Sequence, residues 1–111
     1  MNDKGAHAEQ AAATFLEQRG LKLLTSNYHC RYGEIDLVLQ DGDTLVFAEV
    51  RLRNRDDFGG AAASITPAKQ KKIRLAAQHY LSGLRTSPPC RFDAVLIRNN
   101  DFEWIKNAFG E

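Results

Sequence analysis

The chain has 111 residues and a formal net charge of +1, with 43% hydrophobic and 26% charged residues, the proportions of one small folded domain rather than a disordered or membrane-embedded chain. No apolar run is long enough to cross a bilayer, and the opening MNDKGAHAEQAAATF lacks the basic start and continuous apolar core of a signal peptide, so a cytoplasmic location is expected. Cys30 and Cys90 stand far apart with no Cys or His at finger-like spacing, which argues against a zinc site or a disulfide framework and suggests buried or half-buried thiols.

From Asn2 or Asp3 to Arg19, the residues Ala8, Ala11, Ala12, Phe15 and Leu16 fall at helical spacing, and Gly20 sits where a C-terminal cap belongs. LKLLTSNY, Leu21 to Tyr28, reads as a strand ending in turn residues. Glu34 to Gln40 and Thr44 to Arg53 read as a hairpin about Asp41 and Gly42. Its second arm is apolar on both sides at Leu45, Val46, Phe47, Ala48 and Val50, as a central strand is.

RNRDDFGGAAAS, residues 53–64, has no periodicity and is expected to be a mobile connection. Thr66 as N-cap and Pro67 at the first helical position announce a second helix. Its apolar face is Ile73, Ala76, Ala77, Tyr80, Leu81 and Leu84, and Gly83 followed by Pro88 and Pro89 closes it. CRFDAVLI is a strand, NND a turn, and FEWIKNAF a last strand, with a short helix as the alternative. The expected fold is therefore α/β, one domain over residues 1–111 in the order α-β-β-β-α-β-β. Its mixed sheet is flanked by helices and has a parallel pairing across the second helix.

The hairpin carries charge where a strand would take Val or Ile. Side chains alternate across a strand, so an even turn puts Glu34, Asp36, Glu49 and Arg51 on one face. A two-residue turn at Asp41 and Gly42 opposes residue 38 to 45 and 34 to 49; four loop residues oppose 36 to 49. Either way the Asp36 and Glu49 backbones lie roughly 5 to 8 Å apart. Two carboxylates so close repel unless something positive sits between them, and oxygen ligands suit magnesium or manganese rather than zinc. Arg51 is placed to contact a negative group such as phosphate. The other reading is a solvated face with a surface ion pair, and the residues alone leave both open.

The stretches KGAHAEQAAATFLEQRG, YHCRYGEIDLVLQDGDTLVFAEVRLR, SITPAKQKKIRLAAQHYL and CRFDAVLI resemble, in order and over nearly the whole chain, the YraN-type family of small bacterial proteins. Through it the chain resembles the PD-(D/E)XK nucleases, particularly archaeal Holliday-junction resolvases, which implies a restriction-endonuclease-like fold. The resemblance implies metal ligation by Asp36, Glu49 and the Val50 main-chain carbonyl, with magnesium or manganese as cofactor, and a helix-one glutamate at Glu9. Glu9 lies only about 20° around the helix from Leu16, at the edge of the apolar stripe, and can reach the sheet. The lysine of the second motif is here Arg51, which grips phosphate but cannot give up a proton.

Arg51, Arg53, Arg55, Lys69, Lys71, Lys72 and Arg74 concentrate positive charge in the middle of an otherwise near-neutral chain. At the start of the second helix the cations join free N–H groups, a combination that attracts phosphates. Arg53, Arg55, Lys69, Gln70 and Lys72 are the candidate DNA contacts, Gln70 on the inward side and also implied by the resemblance to face substrate. His7, His29 and His79 share no spacing and read as surface or structural residues, while Phe102 and Trp104 read as core. The expected function is a metal-dependent endonuclease on duplex or branched DNA. The alternative is a non-catalytic DNA-binding module of the same fold, because Arg51 replaces the lysine; a third reading is a protein-interaction domain. Resolvases of similar fold work as dimers, so the resemblance also raises a homodimer.

Overall fold

The computed structural model describes residues 3–52 and 65–109, so the connection at 53–64, with Arg53 and Arg55, lies outside the described residues. Within them run α1 (Asp3–Glu17), β1 (Lys22–Cys30), β2 (Gly33–Asp41), β3 (Thr44–Leu52), α2 (Pro67–Ser82), β4 (Cys90–Arg98) and β5 (Asp101–Ile105). The strands form one sheet in the order β1-β2-β3-β4-β5, antiparallel except for the parallel β3–β4 pair. That is the expected α/β order, and the crossover through α2 explains the parallel pair, since strands in one direction need a long connection between them.

Alternation along the strands builds two cores. Leu45 and Phe47 of β3, with Ala94 and Leu96 of β4, pack beneath Ile73, Ala76 and Ala77 of α2. Val46 and Ala48, with Val95 and Ile97, pack beneath Ala12, Ala13 and Leu16 of α1. Each helix therefore covers its own face of the sheet, and β3 is buried on both. At about 1.5 to 3 kcal/mol for each large side chain removed from water, these two layers dominate the stability of the fold.

Local chemistry sets the ends of the elements. The Lys69 N–H donates to the Thr66 hydroxyl at 3.2 Å, and Pro67 occupies the first turn, so α2 begins where the sequence says. The hairpin turn is shifted by one residue from the expected place. Asp41 pairs with Thr44 around Gly42 and Asp43, and Gly42 takes φ +62°, a conformation that suits glycine at the first central position. The resulting register, 38 to 47 and 37 to 48, is the one that points residue 36 toward 49.

Three expectations are corrected. Leu84 lies beyond α2 and is 39% exposed, because the helix stops at Ser82 before its stripe reaches that residue. The last strand covers only Asp101–Ile105, and the chain then turns at Lys106 to Phe109. Cys90, at the start of β4, is exposed rather than buried, although Cys30 is half-buried.

The turn after β5 is anchored by Asp93, which is 0% exposed within the apolar run of β4. Its carboxylate accepts bonds from Arg91 Nε at 2.9 Å, Trp104 Nε1 at 2.9 Å and the Asn107 N–H at 2.9 Å. Arg91 also bonds Asp41 at 3.0 Å, tying β4 to the hairpin. A buried charge held by so many donors is a structural clamp.

Candidate functional site

The β2–β3 ladder runs from Asp41–Thr44 to Leu37–Ala48 and ends there, one residue short of Asp36 and Glu49. On the other side, Ser26–Leu37 and Tyr28–Ile35 flank Asp36, and Asn27 between them takes φ +56°. Ile35 and Val38 both face the α2 core, whereas Leu37 and Leu39 face the α1 core, so the alternation breaks at Asp36. The sheet thus peels open beside the carboxyl-terminal half of β3.

The two carboxylates fill the opening by reaching across to each other's strand. The Val50 N–H donates to Asp36 Oδ2 at 2.8 Å, and the Asp36 N–H approaches Glu49 Oε2 at 3.4 Å. They share a cleft of about 300 Å³ lined by Ala8 and Glu9 of α1, Asp36 of β2, Glu49 to Leu52 of β3, and Lys69 of α2. A larger cleft of about 590 Å³ between α1 and the β4–β5 turn is lined by Phe15, Phe102, Arg19 and Asp101 among others, and holds no pair of carboxylates. The carboxylates gather in the smaller one.

Glu49 is the unusual member. It is 1% exposed, and its Oε1 has no hydrogen bond among the described residues. Arg51 Nη2 lies 3.8 Å from that oxygen and Lys69 Nζ 3.9 Å, both too far to bond it. Burial, then the charge of Asp36, pushes the Glu49 carboxyl up to about 7, against the pull of Lys69 and Arg51. Glu9 is also pushed up to about 7, first by partial burial and then by the neighbouring charge of Asp36. Three acids therefore crowd one cleft in which a full set of negative charges is unfavourable.

That frustration fits a hard divalent cation. Asp36 and Glu49 offer carboxylate oxygens, and the unbonded Oε1 is a donor atom without a proton partner. Among the described residues, no group of three His, Cys, Asp or Glu side chains closes at metal-holding geometry, so the fit rests on this pair.

The Uncharacterised protein family UPF0102 model matches residues 8–97, which include Glu9, Asp36, Glu49, Arg51 and Lys69. The chain belongs to the UPF0102 family. It is 61% identical over 110 residues to a UPF0102 protein of Nitrosomonas eutropha, covering 98% of this chain and 95% of that one. It is 59% identical over 112 residues to one of Nitrosomonas europaea, covering 98% and 95%. A third, of Psychromonas ingrahamii, is 52% identical over 112 residues, covering 99% and 92%.

Within this UPF0102 chain, Asp36, Glu49, Val50, Arg51 and Glu9 meet at one cleft. Glu34 does not line it; it is exposed and pairs with His29 at 3.8 Å. Gln70 donates its amide to the Ile65 carbonyl at 2.8 Å, at the start of α2. Lys72 packs its stem near Gly33, where an added Cβ would lie 3.5 Å from the Lys72 Cβ. Lys69, taken from the sequence only as a DNA contact, stands against Glu49. Its signal was its place in the first turn after Thr66 and Pro67, which fixes its direction, but only the packing of α2 on the sheet brings that turn to β3. No helix among the described residues is long and apolar enough to cross a membrane.

Proposed function

We propose that this protein holds magnesium or manganese between Asp36 and Glu49, with the Val50 carbonyl as a further ligand. With that cation it acts on the phosphodiester backbone of duplex or branched DNA. The observation that carries the reading is the buried Glu49 carboxylate, whose Oε2 approaches the Asp36 N–H while its Oε1, near Arg51 and Lys69, has no hydrogen bond among the described residues. When bound, the cation would polarise a phosphoryl oxygen and make a bound water more acidic. The chain's own groups do the rest: Asp36 and Glu49 fix position, Arg51 meets developing negative charge, and Glu9 lines the same cleft as Asp36.

One residue favours a second reading. Arg51 stands where the resemblance has lysine, and a guanidinium cannot give up a proton, so the site supports DNA binding without cutting as the alternative. Purified protein incubated with labelled junction, flap and duplex DNA, in magnesium, in manganese and in chelator, separates the two. Metal-dependent cutting that disappears in Asp36→Ala and Glu49→Ala supports hydrolysis. Metal-dependent binding without cutting supports the module, and absence of both removes the site from consideration.

A further inference from the structure

The geometry points to Lys69 as the group that grips the phosphate beside the cation, the part the strand position of Arg51 would otherwise hold. This rests on the metal-and-DNA reading of the cleft and adds a residue from a different element to it.

The Lys69 backbone is fixed, because its N–H caps onto Thr66 at 3.2 Å in the first turn of α2. From there the side chain crosses to β3 and brings Nζ to 3.9 Å from Glu49 Oε1. That separation exceeds a hydrogen bond, so the ammonium protons are not committed to Glu49. The side chain is 37% exposed, which leaves the ammonium open to the cleft. Arg51 Nη2 stands at a similar 3.8 Å from the same oxygen, with its side chain 33% exposed, but its Nε is buried with no hydrogen bond among the described residues, and it rises from the same strand as Glu49, not from a second element. A compact ammonium on a flexible stem can follow a single phosphate oxygen, whereas a fork needs two oxygens in its own plane. A cation entering at Glu49 Oε1 would displace the Lys69 charge from that oxygen, and a phosphate arriving with the cation would receive it.

The test compares DNA affinity with and without calcium, an oxygen-seeking cation used as the probe, by anisotropy of a labelled junction. Wild type is expected to bind on the order of tenfold tighter with calcium. Lys69→Ala and Lys69→Met should lose that enhancement while keeping most of the calcium-free affinity, and Lys69→Arg should keep part of it. Lys71→Ala, on the exposed side of the same helix, should weaken binding equally in both conditions. If Lys69→Ala also weakens both conditions equally, Lys69 is only a backbone contact and the inference fails. If Asp36→Asn abolishes the enhancement and Lys69→Ala keeps it, the inference fails and the site reading stands. If wild type shows no enhancement, the site reading fails and takes the role of Lys69 with it.

Discussion

Replacing Glu49 with glutamine should stabilise the metal-free protein at neutral pH. The side chain is 1% exposed, and its carboxyl is raised from 4.5 to about 7, mainly by burial and secondarily by Asp36. A group whose folded pKa exceeds its unfolded one holds its proton longer in the folded state, so stability falls as pH rises from 4.5 to about 7 and is level on either side. At 1.36 kcal/mol per unit, the ionised Glu49 costs about 3 kcal/mol at pH 8, with the help of Arg51 and Lys69 already included. Glutamine keeps the shape and an oxygen for the Asp36 N–H but carries no charge. For a domain of this size that is a rise on the order of 10 °C in Tm. Thermal melts in chelator at pH 8 and pH 4.5 give the result: Glu49→Gln should gain at pH 8 and match wild type at pH 4.5. A loss of stability at pH 8 would mean that the carboxylate is held by Arg51 and Lys69 as a structural ion pair, and the frustrated-site reasoning would be wrong.

Other consequences follow from the same geometry. Manganese affinity should fall as pH drops through about 7, approaching tenfold per unit, because the raised Glu49 carboxyl must lose its proton to ligate; calorimetry at pH 6 and pH 8 measures it. Asp93→Asn should destabilise by roughly 3 kcal/mol in urea melts, since it sets a neutral amide beside the half-buried Arg91, which keeps only Asp41 as a charged partner, and weakens the bonds to Trp104 and Asn107. Gly33→Ala should cost on the order of 1 to 2 kcal/mol through the φ of +150°, since an added Cβ would make only ordinary contact with Lys72 Cβ at 3.5 Å, and it should leave manganese affinity unchanged.

Much of the fold was legible because its signals are local. Thr66 and Pro67 mark a helix start by their own backbone chemistry, and Leu45 to Val50 mark a central strand by being apolar on both sides. That Asp36 and Glu49 are neighbours was legible because either even register puts them side by side, although the turn lies one residue later than expected and sets the other register. How the two meet was not. Strand alternation predicts a flat shared face that includes Glu34, whereas β2 breaks its alternation at Asp36 and leaves Glu34 outside the cleft. That break lies opposite Asn27, whose φ of +56° is a conformation asparagine takes more readily than most residues. Lys69 and Asp93 were hidden because their partners lie on other elements. For Asp93 a trace was present, an acid inside CRFDAVLI with Arg91 two residues before it on the same side of the strand.

Whether Asp36 and Glu49 bind a divalent cation is measured directly by manganese binding to metal-free protein at pH 8, by calorimetry or by the loss of the free-ion paramagnetic signal. One manganese per chain is expected, weakened by more than about tenfold in Asp36→Asn and again in Glu49→Gln. Binding that both substitutions leave unchanged, or no binding at millimolar manganese, would contradict it.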